Sequence, residues 1–282
     1  MNKIPVSIVI LTFNAADSIG RTLESAAAVS DDVHVVDSYS TDATVDIVRT
    51  WGAKLVQHPF EHYGAQRNWA IDTLPMAHEW QLHLDADERI GPELAAELRA
   101  LFAEGPGRDV DGYYIPRLVH FHGQPLRHGG MYPIYHMRLF RRGRGRCENR
   151  RYDQHFFVDG ATTLLRAPMI DDIRLPLTEW TARHNRWADA EVDEVTKPSD
   201  GVIGAGHSGD PVRAKRMQRS RYYRLPLFWR AALLFLYRYV WKLGFLDGRW
   251  GLIFYVLQTL WFRFLVDAKI FERRHRAGIP PG

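Results

Sequence analysis

The chain has 282 residues, 46% of them hydrophobic, with 37 basic and 33 acidic side chains giving a formal net charge of +4. That length suits one large domain or two closely fused units with a substantial core, and the composition is that of an ordinary globular chain without internal repeats or extended low-complexity segments. A single cysteine, Cys147, excludes an intramolecular disulfide and fits a reducing cytoplasm.

The opening Met-Asn-Lys-Ile-Pro-Val-Ser-Ile-Val-Ile lacks the basic n-region, long apolar h-region and cleavage site of a leader, and reads as a buried first strand. Val6 to Leu11 is a continuous aliphatic run that ends in Thr12-Phe13-Asn14, and Ser18 to Val29 reads as the helix after it. Val33 to Asp37 is a second strand closed by Ser38-Tyr-Ser-Thr-Asp42, followed by a helix over 43–51 and a third strand over 53–57. This βαβαβ alternation implies a parallel sheet with helices on its faces.

Tyr63 to Asp72 reads as a further helix, and the strand Trp80 to Leu84 delivers Asp85-Ala86-Asp87 to the carboxyl edge, where open α/β sheets bind ligands. The breaker Gly105-Pro-Gly-Arg-Asp109 closes this first half, and Gly112 to His122 begins strand-like pieces rich in His, Tyr and Arg. The expected division is 1–105, 106–208 and 209–282.

In the last part, Arg213, Lys215, Arg216, Arg219, Arg221 and Arg224 precede an aromatic-rich stretch over 225–269. Basic residues beside Trp, Tyr and Leu point to an anionic membrane surface rather than a nucleic acid. Interruptions from Arg230 to Arg263 leave no uninterrupted run of the roughly 20 apolar residues that a crossing needs, so this part is expected to lie on a membrane.

Two carboxylates one residue apart, emerging from a buried strand, can address one hard divalent cation, which in turn can bridge the oxygens of a diphosphate. Asp85 and Asp87 meet that requirement; the plainer reading is that Asp87 or Glu88 caps the helix starting near Pro92. Asp37 suits a ribose or base, or else caps its own turn with Ser38 and Ser40. Arg67 suits a diphosphate, or else is a solvated surface arginine. His120, His122, His128 and His136 have irregular spacing and no cysteine partners, so they form no closed zinc set.

Val6-Ser-Ile-Val-Ile-Leu-Thr-Phe-Asn14, Val35-Val-Asp-Ser-Tyr-Ser-Thr-Asp42, Gly64-Ala-Gln-Arg-Asn68 and Leu84-Asp-Ala-Asp-Glu88, jointly and in order, resemble the family 2 glycosyltransferases, which have the GT-A fold. Arg138-Leu-Phe-Arg-Arg142 and Gly244-Phe-Leu-Asp-Gly248 extend the resemblance to the lipopolysaccharide core β-glucosyltransferase-like branch. The resemblance implies a Rossmann-like α/β domain followed by a helical, membrane-associated tail. It implies that Thr12, Asn14, Asp37 and Arg67 hold a nucleotide-sugar donor, that Asp85 lies near ribose and metal, and that Asp87 is the principal ligand of Mg²⁺ or Mn²⁺. The partners it implies are a UDP- or dTDP-hexose, a lipid-linked or lipopolysaccharide-type glycan acceptor and the inner face of the cytoplasmic membrane, with no nucleic acid.

Inverting transfer needs a general base on the acceptor side. Where similar proteins often carry His-Glu, this chain reads Arg150-Arg-Tyr-Asp153-Gln-His155, so the base is expected to be Asp153 or His155, with Asp153 favoured and Glu148 weaker. Arg183-His-Asn-Arg-Trp187 looks like an acceptor-site motif of processive members, but packing of Trp187 is the simpler reading. Two rivals remain at this level. A sugar-phosphate nucleotidyltransferase would need a Gly-rich basic phosphate loop, which Thr12-Phe-Asn-Ala-Ala-Asp17 does not supply; a non-enzymatic membrane-surface protein would use its carboxylates only as caps.

Overall fold

The structure, a computed structural model, describes residues 2–149, 154–196 and 211–277, without the side chains of 211–216. They fall into two compact units, one of Met1–Leu118 with Pro133–Asp172 and one of Val119–Tyr132 with Ile173–Gly282.

The first unit opens with β1 (Val6–Thr12), α1 (Ala16–Ala27), β2 (Asp32–Asp37), α2 (Thr44–Thr50), β3 (Lys54–Gln57), α3 (Tyr63–Thr73) and β4 (Trp80–Asp85). It continues through β5 (Glu88–Ile90), α4 (Pro92–Glu104) and β6 (Gly112–Phe121). Beyond the two-residue β7 (Gln124–Pro125), which pairs with the end of β6 in the second unit, come β8 (Ile134–Arg141), β9 (Gly145–Cys147), β10 (Phe156–Val158), β11 (Thr162–Leu164) and β12 (Met169–Ile173). The main sheet runs β3-β2-β1-β4-β8-β6-β12-β5. Its β3-β2-β1-β4 half is parallel, and β8 joins antiparallel to both β4 and β6.

Alternation along a strand sends successive side chains to opposite faces, so a strand covered on both sides must be apolar throughout. Every residue of β1 is buried. Ile8 and Ile10 join Val35, Leu82 and Leu84 with Ile19 and Leu23 of α1 and Leu94 and Leu98 of α4. Val9 and Leu11 face the other way and meet Val36, Ala70 and Leu74 beside α3. Helices therefore cover both faces of the parallel half, as the βαβ alternation predicts.

The second unit contains α5 (Leu177–Thr196), α6 (Pro211–Tyr223), α7 (Trp229–Leu236), α8 (Gly248–Tyr255) and α9 (Phe262–Arg276). π-helical turns at Tyr237–Trp241 and Val256–Trp261 and a 3₁₀ turn at Gly244–Asp247 link the last three. One core gathers Phe121, Leu126, Met131, Trp180, Phe254 and Tyr255, and another packs Ala188 and Val192 of α5 on Phe262, Val266 and Ile270 of α9.

The Gly244–Gly248 segment is an anchor here. The buried Asp247 carboxylate accepts the backbone N–H of Arg127 (3.1 Å) and of His128 (3.1 Å), the Tyr255 hydroxyl (2.8 Å) and His128 Nδ1 (2.7 Å). Gly129, at φ +61°, lies so close that a Cβ would stand 2.3 Å from the Tyr255 hydroxyl, so no other residue fits. By length and composition alone, Gly244–Arg276 is a 33-residue helical stretch apolar enough to cross a membrane, although Arg249 and Arg263 interrupt it as expected.

Candidate functional site

Four parallel strands of the first unit, β3, β2, β1 and β4, end side by side. Their register sets Thr12 beside Asp37, Asp37 beside Gln57 and Leu11 beside Asp85, so the polar strand ends share the carboxyl edge of the sheet. The crossovers through α1, α2 and α3 return the chain each time to the opposite edge, and the carboxyl edge is where open α/β sheets bind ligands.

Asp37 is fully buried and accepts the Ser40 N–H (3.0 Å), Gln57 Nε2–H (2.9 Å) and the Ser40 hydroxyl. Its expected turn contact with Ser40 thus exists, and Gln57 is a second partner. The Asn14 side-chain oxygen accepts the Thr41 N–H (2.8 Å), while the Asn14 backbone N–H donates to Ser40 Oγ (2.8 Å), tying the loops after β1 and β2 together. Asn14 has φ +46°, a conformation Asn tolerates better than most residues, but Tyr39 at φ +60° has no such excuse and stores about 1–3 kcal/mol of strain. Phe13 and Tyr39 are exposed on these two loops. The Thr12 hydroxyl is buried without a hydrogen-bond partner among the described residues, an omission of about 1–3 kcal/mol.

A second cluster surrounds Asp85. Arg67 Nη2 donates to both its oxygens (2.8 and 3.2 Å), and Arg138 Nη2 donates to Oδ2 (3.0 Å). Arg67 is therefore not a solvated surface arginine: it is buried, with its guanidinium 4.9 Å from the centre of the Phe156 ring. Arg138 also donates to Glu88 Oε1 (2.6 Å), and Glu88 Oε2 accepts the Asp85 N–H (2.9 Å), closing the loop Asp85-Ala-Asp-Glu88 on itself. Helix α3 joins the two clusters, since Gln66 donates to Ser38 Oγ (3.3 Å) one residue before Arg67.

Glu88 does not cap α4. It is a buried residue of β5, and the helix begins at Gly91 without any side-chain cap. Asp87 sits half-buried in the turn between β4 and β5, and its carbonyl accepts the Asp172 N–H.

The charges in this cluster are uneven. Burial opposes ionisation of Asp85, but Arg67 and Arg138 outweigh it and hold the carboxyl well below the usual range. Burial pushes Glu88 up to about 7; Arg138 works against that push, and the negative charge of Asp85 adds to it. Asp171, which pairs with Glu88 across β12 and β5, is pushed up to about 6 by burial, against the pull of Arg117 at 3.4 Å. Buried His83 is held neutral by desolvation and by the same two arginines.

Glu88, Arg138, Asp171 and Gln57 are site residues that motif reading misses or undervalues. Arg138 lies in the Arg-Leu-Phe-Arg-Arg segment, and the β4–β8 register, with Leu82 opposite Leu139, brings it to Asp85. Among the described residues no three His, Cys, Asp or Glu side chains form a metal cage by themselves.

Of the two residues expected to supply the base, Asp153 lies outside the described residues. His155 is half-buried, its N–H donating to Glu148 Oε2 (3.1 Å) and its carbonyl accepting the Glu148 N–H (3.0 Å), and its ring stands 6.2 Å from that of His136. In the second unit, His128 pairs with Asp247 and His122 stacks on Trp250. His184 of Arg183-His-Asn-Arg-Trp187 is buried against Trp180, with Nε2 2.9 Å from Gln258 Oε1, and Trp187 packs on the α5–α9 core.

The profile of the family described as Glycosyl transferase family 2 matches residues 7–174, which include both clusters and most of the sheet. The chain belongs to glycosyl transferase family 2. An uncharacterized glycosyltransferase of Rickettsia typhi is 35% identical over 118 residues, covering 42% of this chain and 40% of that protein. One from Rickettsia bellii is 41% identical over 114 residues, covering 40% and 38%. The chain thus spans about two fifths of the length of these curated relatives. The mannosyltransferase PcManGT of Pyrobaculum calidifontis, solved with GDP-Man and Mn²⁺, superposes with a TM-score of 0.52 at 16% identity, covering 97% of this chain and 89% of its own. The family and this likeness give the first unit the GT-A fold.

Proposed function

We propose that the protein is an inverting, metal-dependent hexosyltransferase that moves a sugar from a UDP- or dTDP-linked donor to a lipid-linked or lipopolysaccharide-type glycan in cell-envelope synthesis, at the inner face of the cytoplasmic membrane. The observation that carries this reading is the carboxyl edge of β1, β2 and β4, where Thr12, Asp37 and Asp85 end adjacent parallel strands. The fold neighbour was solved with GDP-Man and Mn²⁺, which supports a nucleotide-sugar donor and a divalent cation in this reading.

Thr12, Asn14 and Asp37 bind the nucleoside, with Asp37 facing the ribose or base. Asp87, with Asp85 behind it, would hold Mg²⁺ or Mn²⁺. A small hard cation needs only one or two protein carboxylates when phosphate oxygens and water complete its shell, so the lack of a three-residue cage fits this donor set. When bound, the cation neutralises charge developing on the departing diphosphate. Arg67 and Arg138 hold Asp85 ionised and in one orientation, and Arg67 adds positive charge beneath the diphosphate.

The acceptor hydroxyl then attacks the anomeric carbon from the face opposite the diphosphate, and Asp153 takes its proton while His155 positions the acceptor. An α-linked donor yields a β-linked product. The anomeric proton coupling of the product, measured by NMR, tests this: a large diaxial coupling from a glucose-type donor is expected, and a small one refutes inversion. Asp153→Asn should abolish transfer while leaving donor binding intact, whereas His155→Ala should weaken it only partly.

A further inference from the structure

The surface of the second unit carries an apolar stripe with no protein partner among the described residues. Trp229, Leu233, Leu236, Tyr237, Val240 and Trp241 recur at i, i+4, i+7, i+8, i+11 and i+12, one face of a helix, and all are exposed, Trp229 by 72% and Trp241 by 78%. Leu243, Phe245 and Leu246 prolong the stripe. Scattered exposed apolar residues are ordinary, but a continuous face of this kind marks an interaction surface. The opposite side of the same helix is already used: Arg230 and Ala231 are buried, and Arg230 Nε donates to buried Asp267 (2.7 Å).

Charge identifies what covers the stripe. From residue 211 to 266 the sequence holds 11 Lys and Arg but one acidic residue, Asp247, and that one is buried. Arg221, Arg224, Lys242 and Arg249, on the segments that flank or continue the apolar face in sequence, are exposed. Two copies meeting through such faces would bring their cationic rims together, whereas an anionic lipid surface complements both the rim and the stripe. Trp229 and Trp241 stand near the two ends of the face, and tryptophan favours the boundary between headgroups and acyl chains.

We infer that this face of α7 and the turns after it beds, parallel to the surface, into the interfacial layer of an anionic bilayer. The longer stretch Gly244–Arg276 does not cross it. Phe262, Val266 and Ile270 are packed on α5, Gln258 meets His184, and Arg263 donates to buried Glu191 (2.7 Å), so part of its apolar surface and its mid-helix polar groups already have partners within the unit, although Leu252, Phe264 and Phe271 stay exposed. This inference rests on the membrane location proposed above, which it deepens by naming the face and the lipid charge that hold it, and it is tested apart from the transfer reaction.

Flotation of the full chain with phosphatidylglycerol–phosphatidylethanolamine vesicles, against phosphatidylcholine vesicles, tests it. Binding to the anionic vesicles should be at least about tenfold tighter, and Arg221→Glu/Arg224→Glu should weaken it by about tenfold or more. Leu236→Glu/Val240→Glu, at exposed positions that leave the fold intact, should release the protein while its thermal unfolding and its nucleotide-sugar hydrolysis stay at the wild-type level. Full vesicle binding by Leu236→Glu/Val240→Glu would overturn the inference. So would resistance of the wild-type protein to alkaline carbonate extraction, which marks a crossing helix, or a dimer that this variant dissolves without any change in vesicle binding.

Discussion

Replacing Arg138 with Met keeps the length of the side chain and removes the one guanidinium shared by Asp85 (3.0 Å) and Glu88 (2.6 Å). Both members of the inner pair are buried, with side chains 5% and 2% exposed, so the loss strands the Glu88 carboxylate. Breaking a buried pair in this way costs about 3–5 kcal/mol when the remaining charge cannot neutralise. Glu88 can, because burial has already pushed its carboxyl up to about 7. Each pH unit above a group's pKa adds about 1.4 kcal/mol to the work of protonating it. Arg138→Met should therefore destabilise the first unit by about 3 kcal/mol at pH 8 and by about 1–2 kcal/mol less at pH 6. Adding Glu88→Gln should restore most of the loss at pH 8, because an amide carries no charge to strand. Hydrogen exchange of the β4 amides under urea isolates this unit from the rest of the chain. If the single variant is equally destabilised at both pH values, or the double variant is no more stable than the single, the pairing and its charge state have been misread.

Two further outcomes follow from the same physics. The carboxyl of Glu88 is raised on folding from 4.5 to about 7, so between those values the folded state binds the extra proton and stability falls as pH rises. Glu88→Gln should flatten that part of the stability–pH profile, whereas Asp85, held low by its arginines, contributes stability that is lost only in acid. In the second unit, Asp247→Ala removes the acceptor for the Arg127 and His128 N–H groups and the Tyr255 hydroxyl, and should cost about 2–4 kcal/mol in thermal unfolding with little effect on donor binding.

Much of the parallel half is legible because its signals are local. Val6–Thr12 and Asp32–Asp37 are mostly β-branched or aliphatic, and each is followed by a short helix, so a parallel sheet and its carboxyl edge follow from pattern alone. The polar groups at that edge are legible for the same reason, since each ends its own strand. Glu88 is not, because β5 is only three residues long and shows no period, so an acidic residue four places before Pro92 reads as a cap. Arg138 lies 53 residues from Asp85, and nothing short of the antiparallel β4–β8 register reveals their contact. The partners of Asp247 are hidden likewise, because the Arg127 and His128 N–H groups that meet it lie 120 and 119 residues away in the chain. The apolar stripe sits between these extremes: its composition is visible in the sequence, but which side of the helix is covered depends on Arg230 finding Asp267.

The donor site at Asp85-Ala86-Asp87 is tested most directly by titrating UDP-, dTDP- and GDP-linked hexoses into the wild-type protein and Asp87→Asn, with and without Mn²⁺. One donor should bind the wild-type protein only with the cation present. Asp87→Asn should bind it at least about 100-fold more weakly, about 2.7 kcal/mol, at unchanged thermal stability. Equal, metal-independent binding by the two proteins, or no binding of any nucleotide sugar by the folded wild-type chain, would contradict it.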